Sequence, residues 1–371
     1  MRKVCVLFGA GADAPFKIGT GGAFVRSVLG ISASGCDISE MNAAIKDHYK
    51  KIVLNDDPWY PAYSLKPWKE DALVKASLRR KNLDLGKKVS DKDFKFEYDT
   101  ITGNPVKKSI LIDKYPSYMG LIDSKFTTLI APSILGQEKF WQVVSCYCRA
   151  YLTIVQQILG RNDFDAFLNP TKDLICEIRR ASEKAVKEDV YYSVIQRLSS
   201  SIDISVVTTN YTYYCEQLSG LSENEIAYIH GRIGLFESPR DLCVYDVEHD
   251  DIGDQIVFPY LFIQSGLKPI VEQHQIKEYT KLVKFMDESE KIIILGYNLN
   301  YDDNHINSII RSGVTSGKEV VYLSFDDGKM NCMKRKDVIE KLKLDDSVTN
   351  LKCCAITDKN AQRVFEEELV K

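Results

Sequence analysis

Six short runs of apolar residues, each continuous rather than alternating, constrain this chain more than any other feature. They are Val4 to Phe8, Ile202 to Thr208, Ile226 to Ile229, Lys291 to Leu295, Glu319 to Leu323 and Leu351 to Ala355. A strand with one wet face alternates polar and apolar residues, whereas a strand buried on both faces does not. The runs therefore specify a parallel sheet covered on both sides. Helical patterns over 271–288, 303–312, 334–344 and 358–369 separate the later runs. Strands alternating with helices imply βαβ units, so the expected fold class is α/β, a doubly wound parallel sheet.

The first run and the second lie about two hundred residues apart, too far for one loop. Glu138 to Leu159 and Leu174 to Leu198 have helical patterns, and Phe94 to Ile112 alternates around Thr102-Gly103-Asn104-Pro105 as a hairpin does. Residues 30–199 are accordingly read as a mainly helical insertion, and 1–29 with 200–371 as the sheet-bearing core.

Composition narrows the function classes. Hydrophobic residues make up 44% and charged residues 27%, enough apolar material for a large core and too much for a disordered chain. The net charge of -3 provides no basic field, so direct nucleic-acid binding is not expected. No run reaches the roughly 18 apolar residues of a membrane helix. The apolar start at Val4 is too short for a signal peptide and reads as a buried strand. The ten cysteines form no Cys-x-x-Cys pair, and several lie inside apolar runs. That usage suits reduced thiols in a cytoplasmic protein.

Polar and glycine-rich segments stand at the carboxyl ends of four of the runs, where open α/β sheets bind ligands. Gly9-Ala10-Gly11-Ala12-Asp13-Ala14 follows the first and fits a loose dinucleotide-loop pattern. A tight turn with no ligand is the alternative. Pro15, Gly19, Gly21 and Gly22 come next, so no long helix can follow, and a hydride-transfer dehydrogenase is disfavoured. The second run ends in Thr208-Thr209-Asn210-Tyr211-Thr212, which suits either ligand contact or capping of the next helix. The third delivers His230-Gly231, one of only five histidines, where an imidazole can act as a base near neutral pH. The fourth leads to Gly296-Tyr297-Asn298 and Asp302-Asp303-Asn304-His305. There Asn298, Asp302 and Asn304 offer hydrogen bonds suited to ribose hydroxyls, and one of Asp302 and Asp303 is expected to cap the following helix.

With these segments the chain resembles the sirtuin-like superfamily, in particular the bacterial sirtuin-like NAD hydrolases of anti-phage defence. The resemblance covers residues 1 to about 25 and 200–330. It implies a sirtuin-like Rossmann core and NAD as the substrate, cleaved to nicotinamide and ADP-ribose. It makes Asn210 and His230 the catalytic residues. Gly9, Ala10, Gly11, Ala12 and Asp13 become the pyrophosphate loop, with Thr208 beside them. Gly296, Tyr297, Asn298, Asp302 and Asp303 become the ribose-binding segment. The family often has Asp after Asn-Tyr, where this chain has Thr212, so no role is carried over from that acid. Deacylating sirtuins usually carry a four-cysteine zinc module after the His-Gly segment. Here Cys243 is the only cysteine between His230 and Lys291, so no metal is expected. The resemblance further implies a homo-oligomer, controlled by a partner ATPase or sensor protein of a defence system. An NAD-dependent protein deacylase and a catalytically silent NAD- or ADP-ribose-binding subunit are the alternatives.

Overall fold

A computed structural model of the chain describes residues 2–19, 96–99, 106–109, 137–161, 163, 165–237, 243–253, 257–262, 273–300, 303–326, 328 and 332–371. Strand β1 (Lys3–Phe8) comes first, followed by the antiparallel pair β2 (Phe96–Asp99) and β3 (Val106–Ser109). Helices α1 (Gln137–Leu159), α2 (Asp165–Leu168), α3 (Lys172–Glu183) and α4 (Tyr192–Leu198) precede β4 (Asp203–Thr208). Then come α5 (Tyr214–Ser219), β5 (Ile226–Tyr228), β6 (Gly231–Glu237), β7 (Val244–Asp246) and β8 (Phe258–Leu261). The last third alternates regularly: α6 (Gln273–Glu288), β9 (Lys291–Leu295), α7 (Asn304–Thr315), β10 (Glu319–Phe325), α8 (Arg335–Leu342), β11 (Leu351–Ile356) and α9 (Ala361–Val370).

All six apolar runs are strands of one parallel sheet, in the order β11-β10-β9-β1-β4-β5. The chain steps outward from β1 through β4 to β5, returns to the other side of β1, and steps outward again through β9, β10 and β11. This is the doubly wound order of Rossmann sheets, and the direction reverses between β1 and β9. Ligand crevices form at such a reversal because the connections leaving the two strands diverge to opposite faces. Both faces are covered, as uninterrupted apolar strands require. Val4, Val6, Phe8 and Val206 pack with residues of α4, α5 and α9 on one side. Cys5, Leu7, Ile292 and Ile294 pack with α6, α7 and α8 on the other. Each of these strand side chains is fully buried, a gain of about 1.5–3 kcal/mol for each large aliphatic or aromatic one.

Three features differ from the sequence reading. The pattern over 174–198 is two helices, because Asp189 interrupts it. Its carboxylate accepts from the N–H groups of Tyr191 (3.0 Å), Tyr192 (2.9 Å) and Ser193 (2.6 Å) and so starts α4 afresh. Second, α4 packs on a face of the parallel sheet, a contact the sequence pattern did not show. Tyr191, Tyr192, Val194 and Ile195 belong to the same apolar cluster as β1 and β4. Third, β6 pairs with β7 and β8 in a small antiparallel sheet that the apolar pattern did not reveal. The hairpin expected within 94–112 is present as β2 and β3. Most of 30–136, and with it most of the expected insertion, lies outside the described residues. Among the described residues, no helix is long and apolar enough to cross a membrane.

Candidate active site

The glycine loop sits at the reversal point and is pressed against the turn after β9. Gly9 N–H donates to the Leu295 carbonyl (2.9 Å) and Gly11 N–H to the Gly296 carbonyl (3.0 Å). Gly296 adopts a left-handed conformation, φ 69°. A Cβ added to it would stand 2.5 Å from the Ala12 nitrogen, and one on Gly9 2.5 Å from the Gly296 oxygen. The glycines therefore let two backbones touch where side chains would hold them apart. Ala12 N–H and Asp13 N–H also donate within the loop, to Gly9 and Ala10. Two short 3-10 turns, Ala10–Ala12 and Ala14–Phe16, follow in place of a long helix, as the Gly and Pro content requires. Half-exposed Ala10 and Gly11 form the outer surface of the loop.

Asp13 turns inward. It is 1% exposed, with Tyr192 Oη donating to its Oδ1 (2.5 Å) and Thr212 Oγ1 donating to its Oδ2 (2.5 Å). The Asn210 side chain donates from Nδ2 to Tyr192 Oη (3.5 Å) and so joins the same network. Thr208, fully buried, accepts the Asn210 N–H through its own Oγ1 (3.1 Å). Thr208 and Asp13, expected from sequence to meet the ligand, thus spend their polar atoms fixing Asn210 and its loop. Thr212 does not cap α5; it supplies a hydroxyl to a carboxylate that arrives from the glycine loop.

Burial raises the Asp13 carboxyl to about 6, against the lowering effect of hydrogen bonds from Thr212, Tyr192 and Asn210. Its folded value then exceeds its ordinary 3.8, so the folded state binds the proton more tightly. The group costs stability as pH rises from about 4 to 6, a change of about 3 kcal/mol that is complete above that window. Asp13→Asn removes this slope. The stability difference between variant and wild type, read from urea midpoints, should move toward the variant as pH rises. A difference that stays flat between about pH 4 and 7 would contradict the assignment.

His230 stands on the neighbouring strand end. Thr208 and Tyr228 are partners in register, so Asn210 and His230 each lie two residues beyond the same level of the sheet. The two loops are tied together: Ile233 N–H donates to the Tyr211 carbonyl (2.8 Å), Tyr211 Oη to the Phe262 carbonyl (2.5 Å), and Phe262 N–H to the His230 carbonyl (2.8 Å). Gly231, at φ 77°, brings this segment against the Tyr260 backbone, where a Cβ would collide.

The His230 ring, 6% exposed, places Nε2 3.2 Å from Asp303 Oδ1. Asp303 occupies the N-cap position of α7 without capping it, because its side chain makes no bond to the helix amides. Burial raises the phenols of Tyr211, Tyr279 and Tyr297, and the Asp303 charge raises all three further. An acceptor at Nε2 keeps the ring proton there and leaves the lone pair on Nδ1, which makes Nδ1 the basic atom. Imidazole, orienting carboxylate and a fixed carboxamide together can hold a polar substrate group and remove its proton.

The remaining expected ligand contacts divide. Tyr297 is 4% exposed; its Oη donates to Asn307 Oδ1 (3.0 Å) and its carbonyl accepts from Tyr322 Oη (2.7 Å), so it belongs to the core. Asn298 is exposed beside Lys341, whose Nζ reaches its carbonyl (2.7 Å) and Oδ1 (3.4 Å). Asp303, expected at the ribose, serves His230. Asp302 lies outside the described residues. Sequence reading did not anticipate Tyr192 or the pairing of Asp303 with His230. The only available signal for the pairing was one acid and one histidine, each just past a buried strand.

No family model matches the chain, and no curated protein matches it. Among solved structures it is similar to a sirtuin described for its substrate affinity, at 13% identity over 99% of this chain and 94% of that one, TM-score 0.38. It is also similar to a mutant Sir2 homologue bound to 2'-O-acetyl ADP ribose, at 11% identity over 54% and 73% of the two chains, TM-score 0.34. A third is Sir2Tm bound to a propionylated peptide, at 16% identity over 54% and 84%, TM-score 0.32. At these scores the likeness transfers no residue roles.

Proposed function

We propose that this protein is an NAD hydrolase that cleaves the bond between nicotinamide and ribose, releasing nicotinamide and ADP-ribose. One observation carries the reading: a buried imidazole–carboxylate pair, His230 with Asp303, shares a sheet end with Asn210, whose backbone is held by Thr208 and whose carboxamide meets Tyr192 Oη. Departure of nicotinamide leaves an oxocarbenium-like ribose, by analogy with other glycosyl transfers. The cationic pyridinium is already a good leaving group, so the protein need only hold the sugar and provide one nucleophile. Asn210 orients the ribose or the attacking water. Nδ1 of His230 takes the proton that the water, or a ribose hydroxyl, gives up. The glycine loop surface and Asn298 lie on either side of the strand reversal, where a dinucleotide would extend.

The same reading makes the chain the effector of a bacterial anti-phage system, acting in the cytoplasm as a homo-oligomer under a partner ATPase or sensor protein. Purified protein, alone and with such a partner, is incubated with NAD and nicotinamide release is measured. Release that tracks protein concentration is expected. NAD left intact under both conditions would defeat the reading, and removal of acetyl groups from an acetyl-lysine peptide would favour a deacylase instead.

A further inference from the structure

Beside the imidazole–carboxylate pair stands a second histidine. His305 lies two residues after Asp303, on the first turn of α7, and its ring centroid is 6.5 Å from that of His230. The Tyr279 ring also stands beside it, 5.4 Å away. One ligand atom from each of His230, Asp303 and His305 lies within 4.8 Å of the others. His230 and Asp303 are buried and His305 is half-buried with its Nε2 atom shielded, so the cluster is sheltered from solvent.

We propose that these three residues form a site for a divalent cation of the zinc class, and that filling it switches the centre off. The donor set is two imidazoles and one carboxylate, which suits zinc with one position left open. Zinc bonds of about 2.0–2.2 Å in a tetrahedral arrangement place ligand atoms about 3.3–3.5 Å apart. The His230 Nε2 to Asp303 Oδ1 distance of 3.2 Å already meets that spacing, and His305 needs only a small side-chain adjustment. No cysteine takes part, so the site is unlike a structural zinc module.

The switching role rests on the hydrolase reading and follows from proton bookkeeping on one ring. With Asp303 accepting at Nε2, the proton sits on Nε2 and the lone pair on Nδ1. A cation bound at Nε2 takes that nitrogen's lone pair, so the neutral ring must carry its proton on Nδ1. The proton is moved within the ring, not lost, and Nδ1 changes from a base to a donor. Asp303 is withdrawn from its orienting role at the same time.

The test uses the full chain, stripped of metal, incubated with Zn2+ and dialysed. Retained zinc is measured for wild type, His305→Ala and His249→Ala, the last altering a separate, more exposed group of Asp246, Glu248 and His249. Wild type and His249→Ala should each retain one zinc per chain. His305→Ala should bind at least about 10- to 100-fold more weakly, since even an outer partner of a metal ligand has that effect. Co2+ in place of zinc should give the visible bands of a low-coordinate site in wild type and none in His305→Ala. A wild type that retains no zinc, or a His305→Ala chain that retains as much, overturns the site. NAD cleavage is then followed as zinc is added to metal-free wild type, and it should fall in proportion to occupancy. Cleavage that is unchanged or faster with the site filled overturns the inhibitory role. A chain that binds zinc at these residues but never cleaves NAD keeps the site and defeats the hydrolase reading instead.

Discussion

His230→Ala is expected to slow NAD cleavage by about 10²- to 10⁴-fold, the usual contribution of a positioned general base. The variant removes the imidazole that Asp303 orients at the sheet end shared with Asn210. That imidazole is held by Asp303 at Nε2, and the His230 backbone by the Phe262 N–H to its carbonyl. The proposed binding surface at the glycine loop and Asn298 is untouched, so KM should change much less than kcat. Thermal melting checks that the buried ring has not been lost at the expense of the fold. The pH dependence is the more specific readout, because loss of a base removes the acidic limb of the rate profile. A folded variant that cleaves NAD within a few-fold of wild type would exclude His230 from the chemistry.

Gly296→Ala is expected to have the largest effect on stability, at least about 4 kcal/mol, or a fall in Tm on the order of 10 °C. Two costs add. The residue is held at φ 69°, which disfavours any Cβ. The Cβ would also meet the nitrogen of Ala12 at 2.5 Å and the carbonyl carbon of Gly11 at 2.7 Å. These are backbone atoms of the adjoining loop, so neither can rotate away. Gly317→Ala separates the costs. Gly317 has φ 88° but nothing within 4 Å of the added Cβ, so it should lose only about 1–2 kcal/mol from the dihedral. Comparable melting points for the two variants would refute the close contact between the loops after β1 and β9.

The contrast between these two glycines shows where sequence reading reached its limit. Both are glycines near strand ends, and the letters alone cannot say which one has another backbone against it. The sheet was legible because burial on both faces leaves a local signature, the unbroken apolar run. Lys291 to Leu295 was bounded to the residue for that reason. Helices of the last third were legible through their period and their position between strands. The catalytic candidates were legible as positions, since a strand's carboxyl end is recognisable in one dimension.

Partnerships were not. Asp13 meets Tyr192, 179 residues further along the chain, and Thr212, 199 residues along. No local pattern encodes a hydrogen bond across such a distance. The acid at 303 was read as a cap or a ribose contact because both are short-range habits of Asp before a helix. Only the sheet order, which brings the segment after β5 and the start of α7 to the same end of the sheet, turned it toward an imidazole 73 residues away. Strands and helices follow from interactions between near neighbours, which every stretch of chain carries within itself. A reactive centre depends on which distant stretches the sheet order brings to one edge, and that order exists only once the chain has closed on itself.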